Sequence, residues 1–455
     1  MPELAQAQRV HLIGIGGSGM SALASLLLRM GKAVSGSDMQ PGSVTERLRA
    51  EGAAIHSGHA AANVGDADYV VRSSAVGIDN PEVGEAQRKS VTTRKLAEAV
   101  GELMRGRSGV AVAGTHGKTT TTALVTWLLQ WGGIDPLALI GGDLPAFPLG
   151  ARAGEGPMVV EADEYDRRFL EYWPEVAVVT SVEADHLDYY RDLAEIQGAF
   201  QELIGRLPRH GRLVVCADDG CAMSLQTEAE RQTYGFMPGA VWQLGDYAVV
   251  QGAGSRFTLT VDGRGWPVES PLVGEHNASN VAAAVAVADY FGVGLRTSLA
   301  ALETFEGPRR RFETKGHPRG IWIVDDYGHH PTEVAAVLRA ARAAAEGDVW
   351  VVFQPHTTHR TAALLDEFGR AFGDAQHALI LPIYKPSGRE AHARPISSED
   401  LVTRIDRHPD ARAIRSFDAA IQAIASGAQA GDVVVTMGAG DVTALSDRLV
   451  QELEA

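Results

Sequence analysis

Cysteine is nearly missing: Cys216 and Cys221 are the only two thiols in 455 residues. Two thiols form neither a disulfide framework nor a four-thiolate zinc site, and both, in VVCADDGCA, are expected to pack as small apolar side chains. No run of about 18 apolar residues occurs, and the opening MPELAQAQR lacks the basic stretch and apolar core of a signal peptide. A cytoplasmic protein with no membrane partner is expected. Basic excess is missing too. At a formal net charge of −16 the chain has no general nucleic-acid surface, so an anionic ligand must be held by local donors. No low-complexity tract or short-period repeat interrupts it. What remains is ordinary for a globular enzyme, with 45% apolar and 22% charged residues. The length calls for about two to four domains.

Short apolar runs alternate with helical stretches. VHLIGIG, AVSGSD, AAIHSG and DYVVRSSAV occupy residues 10 to about 105, MVVEADE and VAVVTSVEADH follow, and IWIVDDYG, VWVVFQPH, HALILPIY and DVVVTMGAG come last. This alternation predicts α/β units on parallel sheets. The texture of AVWQLGDYAVVQGAGSRFTLTVDG adds short antiparallel strands, so a mixed sheet is expected in the middle unit. MRGRSG and GPRRRFETKGHPRG read as linkers and divide the chain into domains at 1–105, 106–315 and 316–455.

Two strand–glycine–helix turns stand about a hundred residues apart. In the first, Gly14, Gly16 and Gly19 fit G-x-G-x-x-G, where helix N-terminal amides meet a pyrophosphate and Asp38 of GSD comes near a ribose or base. This fits NAD and a UDP-sugar equally. The second, GTHGKTTTT, carries Lys118 to reach terminal phosphates and Thr119 to ligate Mg²⁺, although Val112 stands where the strict P-loop form has glycine. Downstream, Glu161, Asp163 and Glu164 follow one apolar run and Asp185, His186 and Asp188 another, where a P-loop enzyme needs carboxylates on its metal.

Asn277 and Asn280 share a face at a helix start, for capping or for adenine. Arg309, Arg310 and Arg311 offer a phosphate clamp or a charged linker. VDDYGHHPTEV crowds Asp325, Asp326, Tyr327, His329 and His330 between strand and helix. Adjacent histidines project in different directions, which argues for a polar-substrate and phosphate site over zinc. QPHTTHRT brings His356, His359 and Arg360 to the end of a buried strand, the usual ligand edge of open α/β sheets.

In this order GIGGSGMS, GTHGKTTTT, EADEYD, DHLD, HNASN, RRFE, DDYGHHPTE and QPHTTHRT resemble the signatures of the Mur ligases of peptidoglycan synthesis, over nearly the whole chain. The resemblance implies a Rossmann-like UDP-binding N-terminal domain, a central P-loop ATPase-like domain and a Rossmann-like C-terminal domain that holds the amino acid. It implies ATP and Mg²⁺, attack of the UDP-N-acetylmuramate carboxylate on the γ-phosphate, and displacement of phosphate from the acyl phosphate by an amine. Lys118, His186, His329 and Arg360 would be catalytic. Gly114, Thr115, His116, Gly117, Lys118, Thr119 and Thr120 would cradle ATP, with Asn277, Asn280, Arg310, Arg311 and Tyr327 around it. Gly16, Gly17, Ser18, Gly19, Met20, Asp38, Ser73 and Ser74 would hold the UDP-sugar, and His356 and Arg360 the amino acid. Thr119 and Glu161 would bind one Mg²⁺ and His186 a second.

Family members acting later on the stem peptide carry a lysine shortly after DH, and none occurs in HLDYYRDLAEIQGAFQELIGRLPRHGR. The branch that adds L-alanine and the branch that attaches the L-Ala-γ-D-Glu-diaminopimelate tripeptide remain, and the wording of DDYGHHPTEV and QPHTTHRT favours the first. A monomer or homodimer is expected. A nicotinamide dehydrogenase would leave Lys118, Thr119 and the acidic motifs without a role, and a nucleotide-gated binding protein would close on ATP without ligation.

Overall fold

A computed structural model describes residues 3–250, 254–385, 396–405 and 408–454. The first sheet holds β1 (Arg9–Ile13), β2 (Ala33–Asp38), β3 (Ala54–Ser57), β4 (Tyr69–Arg72) and β5 (Thr92–Lys95), all parallel, in the order β3-β2-β1-β4-β5. The order reverses between β1 and β4. At such a switch point the connections leave on opposite faces and a crevice opens beyond the carboxyl ends, where Gly14 follows β1 and Ser73 follows β4.

The central sheet comprises β6 (Gly109–Ala113), β7 (Leu137–Leu139), β8 (Ala151–Arg152), β9 (Met158–Ala162), β10 (Val176–Val179), β11 (Arg212–Cys216), β12 (Glu230–Gly235), β13 (Trp242–Val250), β14 (Gly254–Val261) and β15 (Arg264–Ser270). Its order is β15-β14-β13-β12-β11-β10-β6-β9-β7-β8. The sheet is mixed as expected, since β13, β14 and β15 form an antiparallel meander and β8 runs antiparallel to β7. Every residue of β6 is buried, because its Val–Ala run lies between parallel neighbours with both faces covered. The helix Lys118–Trp131 rises from this strand and packs on the helix Glu275–Tyr290, whose alanines and valines are buried on nearly every side.

The third sheet holds β16 (Glu313–Gly316), β17 (Trp322–Asp326), β18 (Val349–Phe353), β19 (His377–Ile380), β20 (Ala411–Ala413) and β21 (Val433–Met437), in the order β16-β17-β21-β18-β19-β20. Only the edge strand β16 runs antiparallel. Two apolar clusters cover its faces. The first two sheets instead share one continuous core, in which Leu12, Leu23 and Tyr69 join Ala111, Val179 and Leu213.

Candidate active site

At the first turn Gly14 has φ of 80°. Gly16 is required for a different reason: its amide donates to Asp38 Oδ2 at 2.9 Å, and a Cβ there would stand 2.8 Å from the same oxygen. Gln40 N–H binds Asp38 Oδ1 at 3.0 Å, so this carboxylate fixes the turn and the end of β2. Gly17, Ser18, Gly19, Met20, Ser73 and Ser74 line a cavity of about 350 Å³ that continues past Ile140 and Gly141 to Glu161 of the central sheet. Gly16 and Asp38 stand behind this lining.

At the second turn Gly114 and Gly117 have φ of 134° and 77°. A Cβ at Gly117 would also collide with Asn280 Oδ1. Lys118 Nζ donates to Gly114 O at 2.6 Å, Thr115 O at 3.2 Å and Glu164 Oε2 at 2.9 Å. Burial works against this ammonium, but the carboxylates of Glu164, Asp163 and Glu161 outweigh it and hold its pKa above the ordinary lysine value. Thr119 Oγ1 donates to Glu161 Oε2 at 2.8 Å, and Gly141 N–H reaches the same oxygen at 3.1 Å. A hydroxyl at the helix start beside a carboxylate at a strand end is a donor set that fits a hard divalent cation next to phosphate. Glu161 thus belongs to both turns: it touches the second cradle and closes the far end of the first cavity.

A further cavity of about 330 Å³ opens beside the second turn, lined by His116, Gly117, Thr120, Asn277 and Asn280, by Arg311 of the segment leading into the third domain, and by Glu333 of the third domain. Asn280 Nδ2 donates to Asn277 Oδ1 at 3.1 Å, and Asn280 Oδ1 accepts from Thr121 Oγ1 at 3.1 Å. Gly274 occupies the N-cap of their helix, so neither asparagine is the cap. Tyr327 lies between two guanidiniums, with Arg310 Cζ 4.9 Å and Arg311 Cζ 5.1 Å from its ring centre. Arg310 turns away to donate to Gly438 O and to face Asp325 Oδ2 at 3.5 Å. Of the residues expected around ATP, Arg311, Asn277 and Asn280 therefore line the cavity, while Arg310 and Tyr327 brace the adjoining loop. Sequence reasoning missed Asp218, Asp219, Tyr234 and His276 in the same wall, and saw Cys216 only as packing. Cys216 is buried, with its thiol pushed up to about 11 by burial, yet it also borders the cavity. Position was the available signal: Cys216 ends β11, and the wall beside it comes from the end of β12.

In the third domain Arg360 grips Asp185 through Nη2 at 3.1 Å and Nε at 3.2 Å, across 175 residues of chain. Burial opposes the Asp185 charge, but the Arg360 guanidinium holds this carboxyl well below the usual carboxylate range. His356 Nδ1 lies 3.4 Å from Arg360 Nη1, and the rings of His356 and His329 are 5.7 Å apart. His329 Nδ1 contacts Tyr327 O at 3.1 Å, and burial pushes its pKa down to about 3, so it is a neutral imidazole near pH 7. His359 is exposed. His186 adopts a left-handed φ of 53°, with its ring 4.9 Å from Tyr165 and Nε2 3.7 Å from Asp185 Oδ2. Asp185 therefore joins His186 of the central domain to Arg360 and His356 of the third.

Three family models match in succession: "Mur ligase family, catalytic domain" over residues 9–108, "Mur ligase middle domain" over 112–288 and "Mur ligase, glutamate ligase domain" over 310–440. A UDP-N-acetylmuramate–L-alanine ligase from Acidobacterium capsulatum is 42% identical over 455 residues, 99% of each chain. The chain belongs to the Mur ligase family. Among solved structures, this Mur ligase is similar to a UDP-N-acetylmuramate-alanine ligase from Thermotoga maritima, with TM-score 0.81, 27% identity and 98% of each chain covered. It is also similar to a murein peptide ligase from Psychrobacter arcticus, with TM-score 0.67 and 27% identity over 98% of this Mur ligase and 99% of that chain.

Proposed function

We propose that this Mur ligase joins L-alanine to the carboxylate of UDP-N-acetylmuramate with cleavage of ATP. The observation that carries the proposal is the position of Glu161, which is shared by the cavity beneath the first glycine turn and by the second turn's hydroxyl and lysine region. Such a junction is what a reaction between two separately held nucleotides requires. Residues 1–105 hold the UDP-sugar, 106–315 hold ATP and 316–455 hold the amino acid. The sugar carboxylate attacks the γ-phosphorus, ADP leaves, and the alanine amine displaces phosphate from the acyl phosphate with loss of a proton. Lys118 stabilises the transferring phosphoryl group, and Asn277, Asn280 and Arg311 line the nucleotide cavity. Thr119 and Glu161 would hold one Mg²⁺ ion and His186 a second, and the metal would offset phosphate charge. Arg360, aimed by Asp185, and His356 and His329 orient the amino acid. Positioning and preorganised charge supply most of the catalysis.

The full-length identity to an alanine ligase and the higher TM-score of the alanine ligase structure support this reading over tripeptide ligation. Phosphate release with UDP-N-acetylmuramate, ATP and Mg²⁺ against a panel of amino acids and the L-Ala-γ-D-Glu-diaminopimelate tripeptide tests it. Release driven by L-alanine is expected; release driven only by the tripeptide would replace the proposal.

A further inference from the structure

One cluster of metal-ligand type borders the nucleotide cavity, apart from the Thr119–Glu161 pair. His116 of the second turn, Glu183 after β10 and His330 at the start of the helix Pro331–Ala344 each place a ligand atom within 4.8 Å of the others, and no second group of three His, Cys, Asp or Glu side chains does so among the described residues. His116 Nε2 faces Glu183 Oε2 at 3.6 Å, His330 Nδ1 lies 3.9 Å from the same oxygen, and the two imidazoles are 4.7 Å apart. Nε2 of His116 and Nε2 of His330 are both buried without a hydrogen-bond partner, and His330 as a whole is only 5% exposed. Buried ring nitrogens are rarely left unmatched, because they give up their hydrogen bonds to water without a replacement.

The surroundings resemble the outer shell of a metal site. Glu333 Oε1 lies 3.2 Å from His116 Nδ1, the carboxylate–histidine arrangement that fixes a ligating ring, and Thr332 Oγ1 donates to Glu183 Oε2 at 2.6 Å. Ligand atoms about 2.0–2.1 Å from a tetrahedral zinc stand roughly 3.4 Å from one another, so closure requires side-chain shifts of little more than 1 Å. We propose that His116, Glu183 and His330 form a two-histidine, one-carboxylate site for a borderline divalent ion such as Zn²⁺, with the fourth position left to water, at the junction of the central and third domains. Imidazole nitrogens select Zn²⁺ over Mg²⁺, which separates this site from the Thr119–Glu161 pair. His330 comes from the third domain and His116 from the nucleotide cradle, so the ion pins one to the other.

The test uses chelator-stripped full-length protein in excess Mg²⁺. Bound Zn²⁺ is measured after equilibrium dialysis, Co²⁺ substitution is followed by visible absorption, and the unfolding midpoint is read with and without Zn²⁺. The variants are Glu183→Gln, which keeps an oxygen for Thr332, and His330→Asn, which keeps a residue suited to the helix N-cap. Expected are one Zn²⁺ per chain, the intense absorption of four-coordinate Co²⁺ and a raised midpoint in the parent, with affinity at least tenfold weaker in both variants. No stoichiometric uptake by the parent would overturn the proposal. Uptake unchanged in both variants, or lost in Glu161→Gln instead, would overturn it equally by assigning the ion elsewhere.

Discussion

The two glycine turns use one backbone device and differ in what surrounds it. Both follow a buried parallel strand and open a helix, and both need glycine where another side chain comes too close: Asp38 at Gly16, Asn280 at Gly117. The first has a carboxylate on its amide and serine neighbours along its cavity, with no lysine in the turn. The second carries Lys118 among Glu161, Asp163 and Glu164, with Thr119 against Glu161. Backbone amides alone suit holding a diphosphate, whereas an ammonium, a hydroxyl and a carboxylate together suit moving a phosphoryl group. The side chains placed on a shared scaffold therefore differ in the way the proposed function requires of a binding turn and a reacting one.

The sharpest way to break this comparison is Lys118→Ala. Ligation is expected to fall by roughly 100-fold or more, on the order of 3 kcal/mol of transition-state stabilisation, while calorimetric UDP-sugar affinity stays within about twofold. Parallel loss of both would erase the division between the turns. Glu161→Gln addresses their junction. Removing one anionic oxygen should raise the Mg²⁺ concentration for half-maximal rate by about 10- to 100-fold, and a magnesium titration matching the parent would take Glu161 out of the metal site.

How much of this was legible in the sequence depended on chain distance. The cradles were readable because strand, glycines and helix are contiguous, and the antiparallel meander because its alternation is local. Thr119 and Glu161 were foreseen through two motifs that each end a strand of the same sheet. The Arg360–Asp185 grip was not, although both residues had been singled out, because their meeting depends on how the third domain sits on the central one. Lys118 presented the same problem: its charge was evident, but its Glu164 partner lies 46 residues away. The nucleotide-cavity wall escaped because Asp218 and Tyr234 belong to no motif, His276 of HNASN was passed over for its asparagines, and the three converge only when β11, β12 and the helix Glu275–Tyr290 are packed.

That wall gives a pH-based way to sharpen the contrast. Burial first, and then the Arg311 charge, hold His276 down at about 4 against an ordinary 6.5. The unfolded chain takes up a proton below about 6.5 that the folded chain refuses until about 4, so this stability is present above pH 6.5 and lost as pH falls through that window. The expected loss is about 3 kcal/mol. Unfolding midpoints of the parent and of His276→Gln, taken from pH 7.5 to 4, should diverge in slope, with the variant flatter; parallel curves would reject the assignment.

The smallest expected effect lies in the third domain. Arg360→Lys cannot reproduce the forked grip on Asp185 or a bidentate hold on a carboxylate. Its KM for L-alanine should rise roughly tenfold, about 1.4 kcal/mol, with the KM values for ATP and the UDP-sugar little changed. A comparable rise in the ATP term would reassign this arginine to the phosphates.

The most direct test of two turns serving two nucleotides is calorimetric. UDP-N-acetylmuramate is titrated into protein already saturated with a non-hydrolysable ATP analogue and Mg²⁺. One equivalent of UDP-sugar should bind alongside the analogue, with affinity no weaker than for the protein alone. Displacement of one nucleotide by the other would place both in a single cradle and contradict the account.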